Sequence, residues 1–139
     1  VESYRLLEDS GGVGQWRGGL GGERILTVNA PEMTVSALFN RTQLAPPGRS
    51  GGGDGAKAGI YVKRREDDRF FTFKEVFNTV SEAKFSGVTL KNGDQVRLVF
   101  PGGGGFGNPS DRDPELIRRD IELGFISKEA ANSAYGVGL

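Results

Sequence analysis

Two glycine-rich stretches carry the residue types that could bind a phosphate. Backbone N–H groups of a glycine turn can cradle phosphate oxygens, and a following lysine can neutralise them. In residues 51–58, however, Ala56 stands where the glycine before Lys57 should be. Ala58 replaces the hydroxyl residue that would hold magnesium, and a strand pattern follows where a helix is needed. Gly102, Gly104 and Gly107 satisfy G-x-G-x-x-G after a strand and before a helix. Pro109 and the polar stretch to Asp113 then separate the glycines from that helix, and too little chain follows Gly124 for a second parallel strand. Close backbone packing in a tight loop is the better reading. Asp9, Asp54, Asp94 and Asp111 lie in or beside turns, where aspartate bonds local N–H groups. A carboxylate-only magnesium site has no recognisable ligand spacing here. With no histidine and no cysteine, thiolate nucleophiles, Ser-His pairs and ordinary zinc sites are excluded. No catalytic, cofactor-binding or metal-ligating residue is therefore assigned in this chain.

Contact chemistry is better represented. Trp16 and Arg17 stand between two glycine clusters, and tryptophan and arginine are enriched at interface hot spots. The alternative is that Trp16 fills the domain's own core. Arg49, Asp54, Lys57 and Phe106, in or beside the other glycine clusters, complete the candidates for a face turned toward a partner or a substrate. A single Arg-Gly-Gly in a neutral chain carries no argument for RNA. The mixed-sign run 64–69 reads as a solvated turn.

The elements that must position these residues follow from pattern and composition. A length of 139 residues fits one domain, with a β-rich glycine-loop region over 1–112 and a helical segment over 113–139. Lysine plus arginine equal aspartate plus glutamate at 18 each, so no long-range field draws nucleic acid or an anionic membrane. No apolar run reaches the roughly 20 residues of a spanning helix and the amino end has no signal-peptide stretch, so a cytoplasmic protein is expected. Twenty-three glycines in clusters are costly to order, and a partner chain is the expected means of holding them.

Residues 4–6, 24–28, 33–39, 60–63 and 70–73 read as strands, with 24–28 and 33–39 as an adjacent antiparallel pair. Residues 88–100 read as a hairpin about a type I′ turn at Asn92-Gly93. Asp113 as N-cap, Pro114 at the first helical position and Gly124 beyond the end mark one helix. A second follows Ser127, with Ala130, Ala131, Ala134 and Tyr135 on one side, and stops at Gly136. The expected fold is mainly β, antiparallel sheets in a sandwich or barrel-like form, with glycine-rich loops and two short C-terminal α-helices.

Three ordered segments then carry a family resemblance: residues 9–21 (DSGGVGQWRGGLG), Pro46-Pro47-Gly48 with residues 51–55 (GGGDG), and Gly93-Asp94 through residues 101–109 (PGGGGFGNP). Arg112-Asp113-Pro114-Glu115, Asp120, Gly124, residues 127–131 and Tyr135-Gly136-Val137 continue it. Nearly the whole chain resembles the end of hydantoinase B/oxoprolinase subunits. Val13, Phe106 and Asn108 depart from the proline, tyrosine and aspartate usual there. The family's long N-terminal portion is absent from this sequence, which implies a fragment or a protein split into two genes. The resemblance implies an ATP-dependent complex with a hydantoinase A-type subunit that binds nucleotide and a larger hydantoinase B-type subunit, ATP and a divalent metal lying on those partners. The first expectation is a small structural or assembly subunit of a ketone carboxylase of the acetone or acetophenone type. The alternatives are the C-terminal module of an ATP-dependent cyclic amidohydrolase, acting on a hydantoin or 5-oxoproline, and a free-standing β-rich binding domain.

Overall fold

The computed structural model describes residues 1–138. Its strands are β1 (Ser3–Leu6), β2 (Gly22–Thr27), β3 (Glu32–Leu38), β4 (Gly59–Lys63), β5 (Phe71–Thr72), β6 (Lys84–Lys91) and β7 (Gln95–Phe100). The helices are α1 (Phe73–Phe77), α2 (Pro114–Glu122) and α3 (Lys128–Tyr135), with one 3₁₀ turn at Pro109–Asp111. A five-stranded antiparallel sheet in the order β1-β2-β7-β4-β5 faces a two-stranded sheet of β3 and β6. The fold is thus mainly β, in two sheets with no closed barrel.

Alternation decides which residues enter the core. Ile60 and Val62 of β4 lie opposite Leu98 and Val96 of β7. They meet Val88 and Leu90 of β6 and Phe73 of α1 in a cluster of buried side chains. The intervening residues point the other way, where the Arg97 guanidinium lies 5.6 Å above the Tyr61 ring. Burying each large aliphatic side chain contributes about 1.5–3 kcal/mol.

Two expected pairings are corrected. β2 bonds to β1 and β7, while β3 bonds only to β6, so residues 24–28 and 33–39 lie in different sheets. Likewise β6 and β7 are not paired, and residues 88–100 are a crossover between sheets rather than a hairpin. Asn92-Gly93 does turn the chain: the Asp94 N–H bonds the Lys91 carbonyl at 3.0 Å. Only Gly93 takes a positive φ, 91°, so the turn lacks the two left-handed residues of type I′. Asp94, 6% exposed, fixes this corner. Its carboxylate accepts from the N–H groups of Lys91 and Arg65, and its carbonyl accepts from the Val28 N–H. The ends of β2 and β6 and the tip after β4 are joined through one residue.

Residues 70–73 are also corrected. Only Phe71 and Thr72 are strand, and α1 begins at Phe73. Thr72 and Glu75 form a reciprocal capping box that starts this helix. The two C-terminal helices begin and end as the caps imply, with Asp113 and Ser127 as N-caps and Gly136 left-handed at the end of α3. Ile117, Ile126 and Ala131 form their buried contact, with Val13, Ile121 and Tyr135 packed against it.

On the outer face of the large sheet, Glu23 is only 2% exposed, and accepts from Arg97 Nε at 2.6 Å and Arg5 Nε at 2.7 Å. Burial alone would push its carboxyl up, but the bonds and charges of Arg97 and Arg5 outweigh it and hold the pKa below the ordinary 4.5. A lowered folded-state pKa stabilises above the unfolded value, and that contribution is lost as pH falls through the folded one. The urea midpoint of wild type should therefore exceed that of Glu23→Gln near neutrality, and the gap should close in acid. A gap that stays constant through the acid range would show that the carboxylate contributes nothing.

A glycine bundle and its exposed tip

Four of the large sheet's strands point the same end at the glycine-rich segments. β1 runs into residues 7–21, which return as β2; residues 46–58 lead into β4; and β7 runs into residues 101–109. Their backbones hold one another, so the neighbours that pin the clusters include segments of this same chain as well as the partner chain expected for that role. Residues 101–107 occupy the centre. Gly103 accepts from Gly12 N–H at 2.9 Å and donates to Gly19 at 2.8 Å, while Gly105 donates to Gly53 and accepts from Arg49, both at 2.9 Å. Gly53 also bonds Val13 at 2.7 Å, and Gly18 bonds Gly12 at 2.8 Å. Neighbours therefore surround the central segment on several sides, which a pleated sheet with side chains on both faces does not allow.

This explains the four consecutive glycines 102–105. A Cβ at Gly102 would lie 1.7 Å from the Ser10 carbonyl oxygen, at Gly104 2.0 Å from that of Pro47, and at Gly105 2.0 Å from that of Val13. None of these residues needs a positive φ, so close approach alone demands glycine. The close-packing reading of the G-x-G-x-x-G stretch holds. Ser10, 3% exposed, closes the base by donating to the Leu7 carbonyl and accepting from the Gly21 N–H.

The candidates divide between the bundle's tip and its flank. At the tip, Trp16 and Phe106 exchange backbone bonds of 2.9 Å in each direction, and Arg49 forms a second bridge to Phe106. The two residues are 59% and 51% exposed, so Trp16 does not fill a core. Arg49 and Lys57 are exposed. Asp54 is exposed too, and its carboxylate accepts from the Gly48 N–H at 2.9 Å, a local turn bond. Arg17 turns inward instead. Its Nε bonds Asp120 at 2.9 Å, its second nitrogen bonds the Gly18 carbonyl at 2.8 Å, and its guanidinium lies 5.4 Å from the Phe125 ring centre.

Sequence reasoning missed the partners of Arg17. Asp120 of α2, 6% exposed, also bonds Arg112 at 2.7 Å, and Arg112 bonds the Gln15 carbonyl at 3.0 Å. One carboxylate thus holds two arginines and ties α2 to the bundle. Beside them the Tyr135 hydroxyl accepts from the Gly14 N–H, and burial pushes its pKa above the usual 10.0. A cleft of about 600 Å³ lies between residues 39–44 and 81–84, and none of the six candidates lines it. No helix among the described residues is long and apolar enough to cross a membrane.

Comparison with known proteins places the chain. Residues 1–109 match the family model described as hydantoinase B/oxoprolinase. The chain is 31% identical over 137 residues to the B-type subunit of a putative D-/L-hydantoinase from Pseudomonas sp. strain NS671. It is 32% identical to the beta chain of the Pseudomonas jessenii caprolactamase. In each case 99% of this chain is covered, and 22% of the relative. The acetophenone carboxylase delta subunit of Aromatoleum aromaticum is 26% identical, with 94% of this chain and 22% of that subunit covered. The crystal structure of ATP-dependent caprolactamase from Pseudomonas jessenii superposes with a TM-score of 0.77 at 23% identity, over the whole of this chain and 23% of that one. The chain spans about a fifth of the length of these relatives. Its match over most of its length, and its glycine bundle built from the segments that carry the resemblance, make it a member of the hydantoinase B/oxoprolinase family.

Proposed function

We propose that this chain is a structural, non-catalytic part of an ATP-dependent cyclic amidohydrolase, working in the cytoplasm beside a hydantoinase A-type subunit and the larger part of a hydantoinase B-type subunit. ATP and a divalent metal belong on those partners. The observation that carries the reading is the ordering of identities. The hydantoinase and caprolactamase subunits stand at 31% and 32%, the carboxylase subunit at 26%. That ordering favours the amidohydrolase reading over the ketone carboxylase expected from the sequence, which is kept as the second reading because it shares the family.

Within this reading the bundle is a rigid spacer. Its glycines are committed to one another, and the groups it offers outward are Trp16, Phe106 and Arg49 at the tip, with Asp54 and Lys57 exposed on the same loops. Large aromatic surfaces beside a guanidinium suit a protein contact.

The test is native mass spectrometry of the untagged protein from its own cells, followed by ATP-turnover assays on the purified assembly. Co-purification with a nucleotide-binding subunit, and ATP hydrolysis stimulated by a hydantoin, 5-oxoproline or a lactam, is the expected result. Stimulation by acetone or acetophenone with bicarbonate instead would move the assignment to the carboxylases. A lone 14.9 kDa chain would overturn both.

A further inference from the structure

The large sheet is only half covered. Across one of its faces run Tyr4, Arg24, Leu98 and Ile60 in register, and beside them Leu6, Gly22 and Phe100. Ile60 is 4% exposed beneath the small sheet, whereas Tyr4 is 69%, Leu6 59% and Phe100 37% exposed. No residue of β1 joins the buried cluster between the sheets. Gly22 separates Leu6 from Phe100, and the Phe100 ring reaches 3.9 Å from where a Gly22 Cβ would stand. The result is an apolar trough over a glycine floor, beside a tyrosine whose ring carries Arg24 at 5.1 Å.

The backbone beside this trough is open as well. β1 is the terminal strand of its sheet, and the Leu7 N–H bonds the Gly21 carbonyl in the same register. Antiparallel pairing alternates bonded and non-bonded positions, so Ser3, Arg5 and Leu7 bond inward while Tyr4 and Leu6 direct their N–H and C=O groups to the free edge. A bare edge beside exposed apolar side chains is a template for another strand.

We infer that this face and edge seat an extended segment of the remaining hydantoinase B-type polypeptide, apolar where it crosses Leu6 and Phe100 and carrying a carboxylate toward Arg24. The inference rests on the family-assembly reading above and adds to it a specific surface. The relatives hold about four-fifths of their length outside the region matched here, which is ample chain to supply such a segment. A second copy of this chain fits less well, because two Arg24 side chains would then meet at the same trough.

The chain has no cysteine, so Leu6→Cys and, in a second variant, Tyr4→Cys each introduce one thiol whose maleimide labelling can be followed on its own peptide. Labelling is measured in the purified assembled enzyme and again after unfolding in urea. The expected result is at least about tenfold slower labelling in the assembly, as for a site reached only by local opening. An intact assembly whose thiols label at the unfolded rate in both variants would overturn this surface while leaving the family-assembly reading standing. Failure of the wild-type chain to appear in any assembly would overturn both.

Discussion

Gly102→Ala is expected to lose about 3 kcal/mol or more of stability, the upper range of overpacking substitutions. The added methyl would sit 1.7 Å from the Ser10 carbonyl oxygen, with the Ala56 nitrogen at 3.3 Å. Neither neighbour is a side chain that can rotate away. Ser10 is itself held, since its carbonyl accepts from Ala56 N–H and its hydroxyl from Gly21 N–H. Relief would have to move residues 10–14 and 52–56 away from the central segment, breaking the bonds from Gly12 to Gly103 and from Gly105 to Gly53. The control is Gly19→Ala in the same bundle. Nothing lies within 4 Å of its added Cβ and its φ is not positive, so the change should be neutral or stabilise by about 0.5 kcal/mol through the unfolded chain. Urea unfolding of both variants decides the matter. If Gly102→Ala keeps the wild-type midpoint, the segments are not packed backbone to backbone.

That contrast between two glycines shows where sequence information ends. Their density signals a special backbone arrangement, and four in a row at 102–105 mark the segment with the most neighbours, but nothing local distinguishes Gly102 from Gly19. Which carbonyl each one meets is set by segments tens of residues away. The same limit explains the sheet errors. Asn92-Gly93 gives the same local signal whether the chain folds back on itself or passes to another sheet, and only the partners of β6 and β7 tell the two apart. By contrast α2 and α3 were legible because Asp113, Pro114, Ser127 and Gly136 act within one turn of the backbone. The short α1 could have been read as well. Thr72 and Glu75 have the spacing of a capping box, but the aromatic run Phe70-Phe71 preceding them favoured a strand. Of the candidate surface residues, the type of Trp16 and Phe106 was informative, while the inward turn of Arg17 depended on a carboxylate 103 residues away.

Asp120→Ala should cost about 3–5 kcal/mol, the range for removing one partner of a buried ion pair. Asp120 is 6% exposed, and the Arg112 side chain beside it is also 6% exposed. The Arg17 side chain is 18% exposed. Without the carboxylate, two guanidinium groups would face each other in a site where little water can enter. The Arg112 Nε already lacks a hydrogen-bond partner among the described residues, and of its bonds to Asp120 and the Gln15 carbonyl the latter would remain, which carries no compensating charge. Attachment of α2 to the bundle would weaken, because Asp120 is the group through which Arg17 and Arg112 reach the helix. Removing one of the stranded charges tests the cause. Asp120→Ala combined with Arg17→Met should recover part of the loss, since the methionine keeps much of the packing against Phe125 and only one uncompensated cation remains. Purely additive losses in the double variant would mean that Asp120 acts through helix packing and not through charge. Recovery would show that a single carboxylate neutralises the arginine pair and fixes the C-terminal helices against the glycine bundle, which is what a rigid spacer between larger bodies requires.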